Sequence, residues 1–347
     1  MDPLKGGSYA RARESQNLLR VKIPKYLCPP SLGMEFGYYI RPAETYEGMV
    51  ELARHAEELG LFGVFLNDHV HSIGEGGREP YLEAWTAMAG IGVQTKRIRL
   101  GHIVLFNSLR NPAFLAKSVA TLDRMSRGRY ELLIGAGWNE AEYLGYDLME
   151  GGRGMPSPGK RVDRFKEALH ILRGMLENPV YSYEGKYWVL KEAINLPPPV
   201  QHPIRISVGA SKPRMINIAA RYGDGLNRGG GLASLERTQK LLLPALERNG
   251  KRIEDYFFSG FASQLIINES DEEYNASAKR LAMRSNRLVE EVKRDGFFGT
   301  PETLVEKFRK AEDLGVKMIV VFVRPVATLD EMKESLTRFN DDVINEL

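Results

Sequence analysis

One stretch, Arg97 to Tyr146, limits what this chain can fold into: two apolar runs flank one helical run, and each apolar run ends in glycine and polar residues. Ile98 to Leu105 is apolar apart from Arg99, Gly101 and His102, the pattern of a strand covered on both faces. Asn111-Pro112 opens a helix, with proline in the first turn where a missing N–H costs nothing. Phe114, Leu115, Val119, Leu122 and Met125 recur at helical spacing, and Ser126-Arg127-Gly128 stops the run. Tyr130 to Ile134 is a second buried strand, and Gly135-Ala136-Gly137-Trp138-Asn139 leads into another helix. Strand, helix and parallel strand make one crossover, so both strand ends open on the same side of a sheet.

The same alternation continues along the chain. Strands are expected at Met34–Ile40, Leu61–Leu66, Pro203–Ala210, Gly223–Asn227, Phe257–Ile267 and Val316–Val323. Helices are expected from the Thr45 cap to Gly60, from about Pro80 to Gln94, over Arg161–Leu176, after Ser211-Lys212-Pro213, and over Leu235–Asn249 and Asp271–Arg294. Another opens at Gly299-Thr300-Pro301-Glu302 and a last one runs over Leu329–Leu347. Tyr181–Leu190 reads as an inserted hairpin, and the Gly/Pro-rich loop Gly151–Gly159 is long enough to act as a lid. A glycine-rich loop, Gly74–Gly77, follows the second strand. Eight β-then-α units argue for an α/β TIM-type (β/α)8 barrel, with an open doubly wound sheet as the rival. No GxGxxG turn follows the first strand, which counts against a Rossmann dinucleotide site.

Charge separates a leader from this body. Residues 1–33 carry six basic against two acidic residues, a net +4, so the overall +3 leaves residues 34–347 one unit negative. The leader reads as a flexible basic extension, with a transit peptide as the rival, and the body has no charge bias that suits nucleic acid. No apolar run approaches the roughly 20 residues of a membrane span. The single cysteine, Cys28, excludes an intrachain disulfide and fits a reducing cytoplasm.

The run LGHIVL…LRNPAFLAKSVATLDRMSRGRYELLIGAGWNEAEY resembles the luciferase-like superfamily of flavin- and deazaflavin-dependent oxidoreductases. Asp68-His69, PIRISVGASKPRM, Gly223-Asp224-Gly225 and GTPETLVEKF fall in the family's order, so the resemblance spans Met34 to the C-terminus. It implies a TIM-type barrel with a cofactor at the C-terminal ends of its strands. It also implies a non-proline cis peptide at Ile103-Val104 that bulges against the cofactor ring.

On that resemblance Asp68 contacts cofactor or substrate, and His69 is a proton donor or acceptor, a task imidazole suits near neutral pH. The bland alternative for His69 is a hydrogen-bonded rim histidine. His69-x-His71 has the spacing of a metal pair, yet later strands supply no further ligands, since His170 lies within a helix and His202 precedes its strand; no metal is expected. Gly209, Ala210 and Ser211 are implied as a cradle for the cofactor's phosphate, with Lys212 nearby, against the plainer reading of a tight turn. Asn139 is implied near the ring or ribityl chain and is also a good N-cap. Phe106 and Asn107 follow the bulge and are expected beside the ring, unless Phe106 is simply packed, while His102 is left facing either inward or outward. Trp138 stands where some deazaflavin relatives keep an acid, which removes the carboxylate that a sugar-phosphate chemistry would use there.

Within that resemblance the GWNEAEY form is similar to the deazaflavin branch, which implies the 5-deazaflavin coenzyme F420 and hydride exchange with a small organic substrate. The alternatives are an FMN-dependent monooxygenase fed by a partner reductase and a non-catalytic flavin-binding barrel. A homodimer is implied by family analogy alone; neither a nucleic-acid nor a membrane partner is expected.

Overall fold

The computed structural model describes residues 33–42, 44–73, 77–324 and 328–347. The basic leader up to residue 32 and most of the Gly74–Gly77 loop lie outside them. Eight parallel strands close a ring: β1 (Glu35–Tyr39), β2 (Gly63–Leu66), β3 (Arg99–His102), β5 (Tyr130–Gly135), β8 (Ile206–Gly209), β9 (Gly225–Gly229), β10 (Phe257–Ile267) and β12 (Val316–Arg324). β12 pairs with β1, and β9 pairs with β10, which completes the closure. A two-residue strand β4 (Leu105–Phe106) continues beside β5, and β11 (Phe298–Gly299) extends the edge at β10. β6 (Val180–Glu184) and β7 (Val189–Ile194) form the separate antiparallel hairpin expected from the sequence.

The helices form where local signals place them. α1 (Tyr46–Glu58) starts at Thr45, whose hydroxyl accepts from Gly48 N–H (3.1 Å). α3 (Pro112–Met125) starts at Asn111. α4 (Glu140–Gly145) follows Asn139, and α5 (Pro158–Glu177) follows Ser157. α6 (Pro213–Tyr222) and α7 (Leu232–Glu247) begin without a side-chain cap. α8 (Asp271–Ser285), α9 (Val289–Asp295), α10 (Pro301–Asp313) and α11 (Leu329–Asp342) complete the layer.

Several expectations are corrected. The long strand over Ile98–Leu105 is broken into β3 and β4 by a cis Ile103-Val104 peptide. α2 (Ala84–Gln94) begins later than Pro80 because the Glu83 carboxylate caps it, accepting from Trp85 N–H (3.2 Å) and Thr86 N–H (2.7 Å). The helix expected over Asp271–Arg294 is two helices, separated at Asn286, which adopts the left-handed conformation (φ 50°) that asparagine tolerates. The sixth strand is Gly225–Gly229, two residues later than expected, and the final helix ends at Asp342. On α3, Leu115, Ala116, Val119 and Leu122 are buried while Phe114 and Met125 are exposed, so the apolar face is narrower than the spacing suggested.

Steric fit explains the barrel interior. Phe65 is fully buried at its centre, and a Cβ at Gly37, Gly63 or Gly101 would lie 2.5, 3.0 or 2.5 Å from its ring. Glycine on three adjacent strands is the space that ring occupies. Below it, Glu131 is held between Arg99 and Arg205, the latter at 2.7 Å. Burial alone would push its carboxyl up, but the two guanidiniums override this and hold it below the ordinary range. Above it, Tyr39, Ile103, Leu133, Val320 and Phe322 continue the packing toward the mouth.

Candidate active site at the barrel mouth

The end of β2 delivers three polar residues in three directions. Asn67 Oδ1 accepts from the hydroxyls of Tyr39 (2.8 Å) and Tyr81 (2.5 Å). Asp68 is buried and turned toward the neighbouring loop, where its carboxylate accepts from Phe106 N–H (2.8 Å) and from both terminal nitrogens of Arg110 (2.7 and 3.0 Å). Arg110 also reaches Glu83 (2.6 Å). These partners occupy the Asp68 carboxylate in holding the segment after the cis bond.

His69 is held from behind by a residue that the sequence did not single out. Its Nδ1 lies 2.9 Å from Oε2 of Glu142, while Glu142 Oε1 accepts from Val70 N–H (2.8 Å). Glu142 is fully buried on α4, and the Trp138 ring meets the imidazole edge-on at 5.8 Å. A carboxylate can only accept, so it selects the tautomer with hydrogen on Nδ1 and leaves the Nε2 lone pair available. Tyr146 Oη donates to Val70 O (3.3 Å), and Asp147 accepts from Gly151 and Gly152 N–H (both 2.8 Å). The start of the Gly151–Gly159 loop is thereby tied to the strand that carries His69.

The bulge makes a small, closely fitted platform. A Cβ on Gly135 or Gly209 would lie 2.9 or 2.8 Å from Val104 Cγ2, so these two strand ends admit the Val104 side chain only because they lack one. Gly137 has φ 79°, and a Cβ there would overlap the Phe106 ring at 1.7 Å. Phe106 itself is buried, edge-on to Tyr143 (5.3 Å), so it backs the platform. Next to it, Asn107 Oδ1 is buried without a hydrogen-bond partner among the described residues. An orphaned acceptor of this kind suits a ligand that brings a donor.

The remaining expected residues fall at the same mouth. Asn139 Oδ1 caps α4 by accepting from Ala141 N–H (3.2 Å), which leaves its amide nitrogen for another partner. Ala210 N–H is already given to Asn227 O (3.1 Å). An anion at the Gly209–Ser211 turn would therefore draw on Ser211 and the uncapped first turn of α6, beside exposed Lys212. His102 faces outward: it is fully buried, stacked on Trp85 (5.3 Å), with Nδ1 2.9 Å from Tyr130 Oη. His71 Nδ1 lies 2.8 Å from Ser72 O, and His170 packs on Tyr222, so neither joins His69. Among the described residues no group of three His, Cys, Asp or Glu side chains is arranged around a cation, and no helix is long and apolar enough to cross a membrane.

Glu142, Arg110, Asn67 and Tyr81 were missed because each acts through a partner distant in sequence. The only local clue to Glu142 was an acid one turn past an asparagine cap.

Comparison with known proteins identifies relatives of this chain. A curated F420-dependent glucose-6-phosphate dehydrogenase of Kribbella flavida is 29% identical over 85% of this chain and 92% of its own length. One from Amycolatopsis mediterranei is 32% identical over 59% of this chain and 60% of its own length. Among solved structures, an F420-dependent secondary alcohol dehydrogenase with an F420–acetone adduct superposes with TM-score 0.74 at 19% identity, covering 90% of this chain and 99% of that one. A monooxygenase from Streptomyces bottropensis gives 0.72 at 21%, with the same two coverages. Those two likenesses speak to the fold alone. The luciferase-like monooxygenase family profile matches residues 27–297, and with the barrel and the mouth described above, the chain belongs to that family of oxidoreductases.

Proposed function

We propose that this protein exchanges a hydride between F420 and a small organic substrate at the barrel mouth, with His69 Nε2 taking or giving the accompanying proton. The observation that carries the proposal is the His69–Glu142 pair at the same barrel mouth as the closely fitted Val104 platform: one oriented base where a ring could bind. The coenzyme, when bound, supplies the carbon that accepts or donates the hydride. Ile103 and Val104 would back its ring, Asn107 and Asn139 would meet its polar edge or side chain, and Ser211 with the first turn of α6 would hold its phosphate. Trp138, edge-on to the imidazole, and Tyr146, bonded to Val70 O, help to keep water from His69. The F420-dependent relatives support this coenzyme over FMN.

The test is a titration of purified protein with F420 and, separately, with reduced FMN, followed by absorbance. F420 is expected to bind and reduced FMN to bind much more weakly. Tight binding of FMN alone overturns the coenzyme assignment in favour of a monooxygenase. F420 binding without turnover of any alcohol or carbonyl compound points instead to a non-catalytic binding barrel.

A further inference from the structure

Arg324 ends β12 at the mouth and lays its guanidinium over the Phe322 ring, 4.4 Å from the centroid. It is half-buried, and among the described residues it has neither a hydrogen bond nor an ion pair. Arg228 on β9 is likewise half-buried without a hydrogen bond or ion pair among the described residues, whereas other arginines near the barrel are engaged. Arg99 and Arg205 share Glu131, Arg110 holds Asp68 and Glu83, and Arg129 donates to four backbone carbonyls and Thr95. Arg324 instead faces a second cation, Arg41, which has its own partner in Glu44 at 3.6 Å. Burial, reinforced by Arg41, pushes the Arg324 pKa down from its ordinary value. A guanidinium with no protein acceptor, partly withdrawn from water beside another cation, is a ready partner for an anion.

Its surroundings describe the rest of that anion. Tyr39 meets Phe322 edge-on at 5.0 Å and is tilted against Phe261 at 5.4 Å, so an aromatic cluster floors this side of the mouth, with Phe261 its partly exposed ring. Asn67 adds a donor: with both tyrosine hydroxyls on its Oδ1, its Nδ2 is the free end. The nearby acids are engaged elsewhere, Asp68 by Arg110 and Phe106, Glu142 by His69 and Val70. On the far rim Trp138 adds an apolar surface rather than a charge.

We infer that the substrate is an organic carboxylate with a flat apolar body, its carboxylate gripped by Arg324 and its body lying against Phe261, the partly exposed ring of the cluster. The planar fork of arginine matches a carboxylate in two parallel hydrogen bonds, and the aromatic floor suits a ring better than it suits a polyhydroxylated sugar. This inference rests on the hydride-transfer reading for the reaction, but the subsite itself is a binding claim that needs no coenzyme.

Calorimetric titration tests it, with phenylacetate, its neutral isostere phenylacetamide, and glucose 6-phosphate as probes, each with and without F420. Phenylacetate is expected to bind at least about tenfold more tightly than either other probe. Arg324→Gln should lower phenylacetate affinity about tenfold, leaving phenylacetamide and F420 binding unchanged, and Arg324→Lys should retain part of it. Equal binding of phenylacetate by wild type and Arg324→Gln overturns the subsite. So does tighter binding of glucose 6-phosphate, or absence of phenylacetate binding to the wild-type protein. Phenylacetate binding by a protein that ignores F420 supports the subsite while sinking the coenzyme reading, which keeps the two failures distinct.

Discussion

Glu142 holds both the ring and the backbone around His69: one of its oxygens lies 2.9 Å from His69 Nδ1, the other 2.8 Å from Val70 N. Being fully buried, the carboxylate has no water to turn to, so it fixes the imidazole plane as well as its tautomer. Glu142→Gln keeps the shape but offers an amide that can also donate to Nδ1, which selects the wrong tautomer. The turnover number should fall about 10- to 100-fold. F420 affinity should stay within a factor of about two, and the pH–rate profile should move, a change that a purely structural role for Glu142 would not produce.

His69→Asn should lower the turnover number by about 10²–10⁴-fold, the usual worth of a general acid or base. Its coenzyme titration and melting temperature should match wild type. Undiminished turnover by this variant would remove His69 from the chemistry.

Asp68 is expected to matter through position. Asp68→Ala leaves Arg110 without its bidentate partner and frees Phe106 N–H, at a cost of about 3–5 kcal/mol by the precedent of half-broken buried pairs. Urea unfolding should show that loss. A variant that is as stable as wild type yet fails to bind F420 would instead make Asp68 a direct ligand contact.

Gly209→Ala puts a Cβ 2.8 Å from a methyl of Val104, a β-branched side chain with little rotamer freedom. The platform must shift, at a cost of about 1–3 kcal/mol in stability and about tenfold in F420 affinity, read by thermal melting and by the coenzyme titration. Unchanged affinity would separate Val104 from the coenzyme site.

Burial pushes the His102 imidazole down to about 4, below the roughly 6.5 of an exposed histidine. The unfolded chain therefore takes up this proton first on acidification. The contribution to stability is full above about pH 6.5 and is lost progressively toward pH 4, on the order of 3 kcal/mol in total. Urea unfolding at pH 7 and at pH 4.5 should show a smaller acid loss for His102→Asn than for wild type, whatever that variant's stability at pH 7.

The residues alone determined a good deal. Alternating apolar runs, the Thr45, Asn111 and Thr300 caps and the hairpin at 180–194 are legible because they depend on neighbours a few positions away. Eight such units favour a barrel, whose strand ends share one face, over an open doubly wound sheet. What tertiary structure decided is the pairing across that face. His69 and Glu142 are 73 positions apart, and Asp68 and Arg110 are 42. Arg324 comes near Tyr39 only because β12 closes onto β1. Strand register and closure bring these groups together, and they depend on all eight strands at once; the glycines that make room for Phe65 and Val104 likewise acquire meaning only against the ring or methyl that fills the space. The Arg97–Tyr146 stretch thus specified its own strands and helix, whereas only the closed barrel decided that His102 turns outward and that Glu142 reaches back to His69.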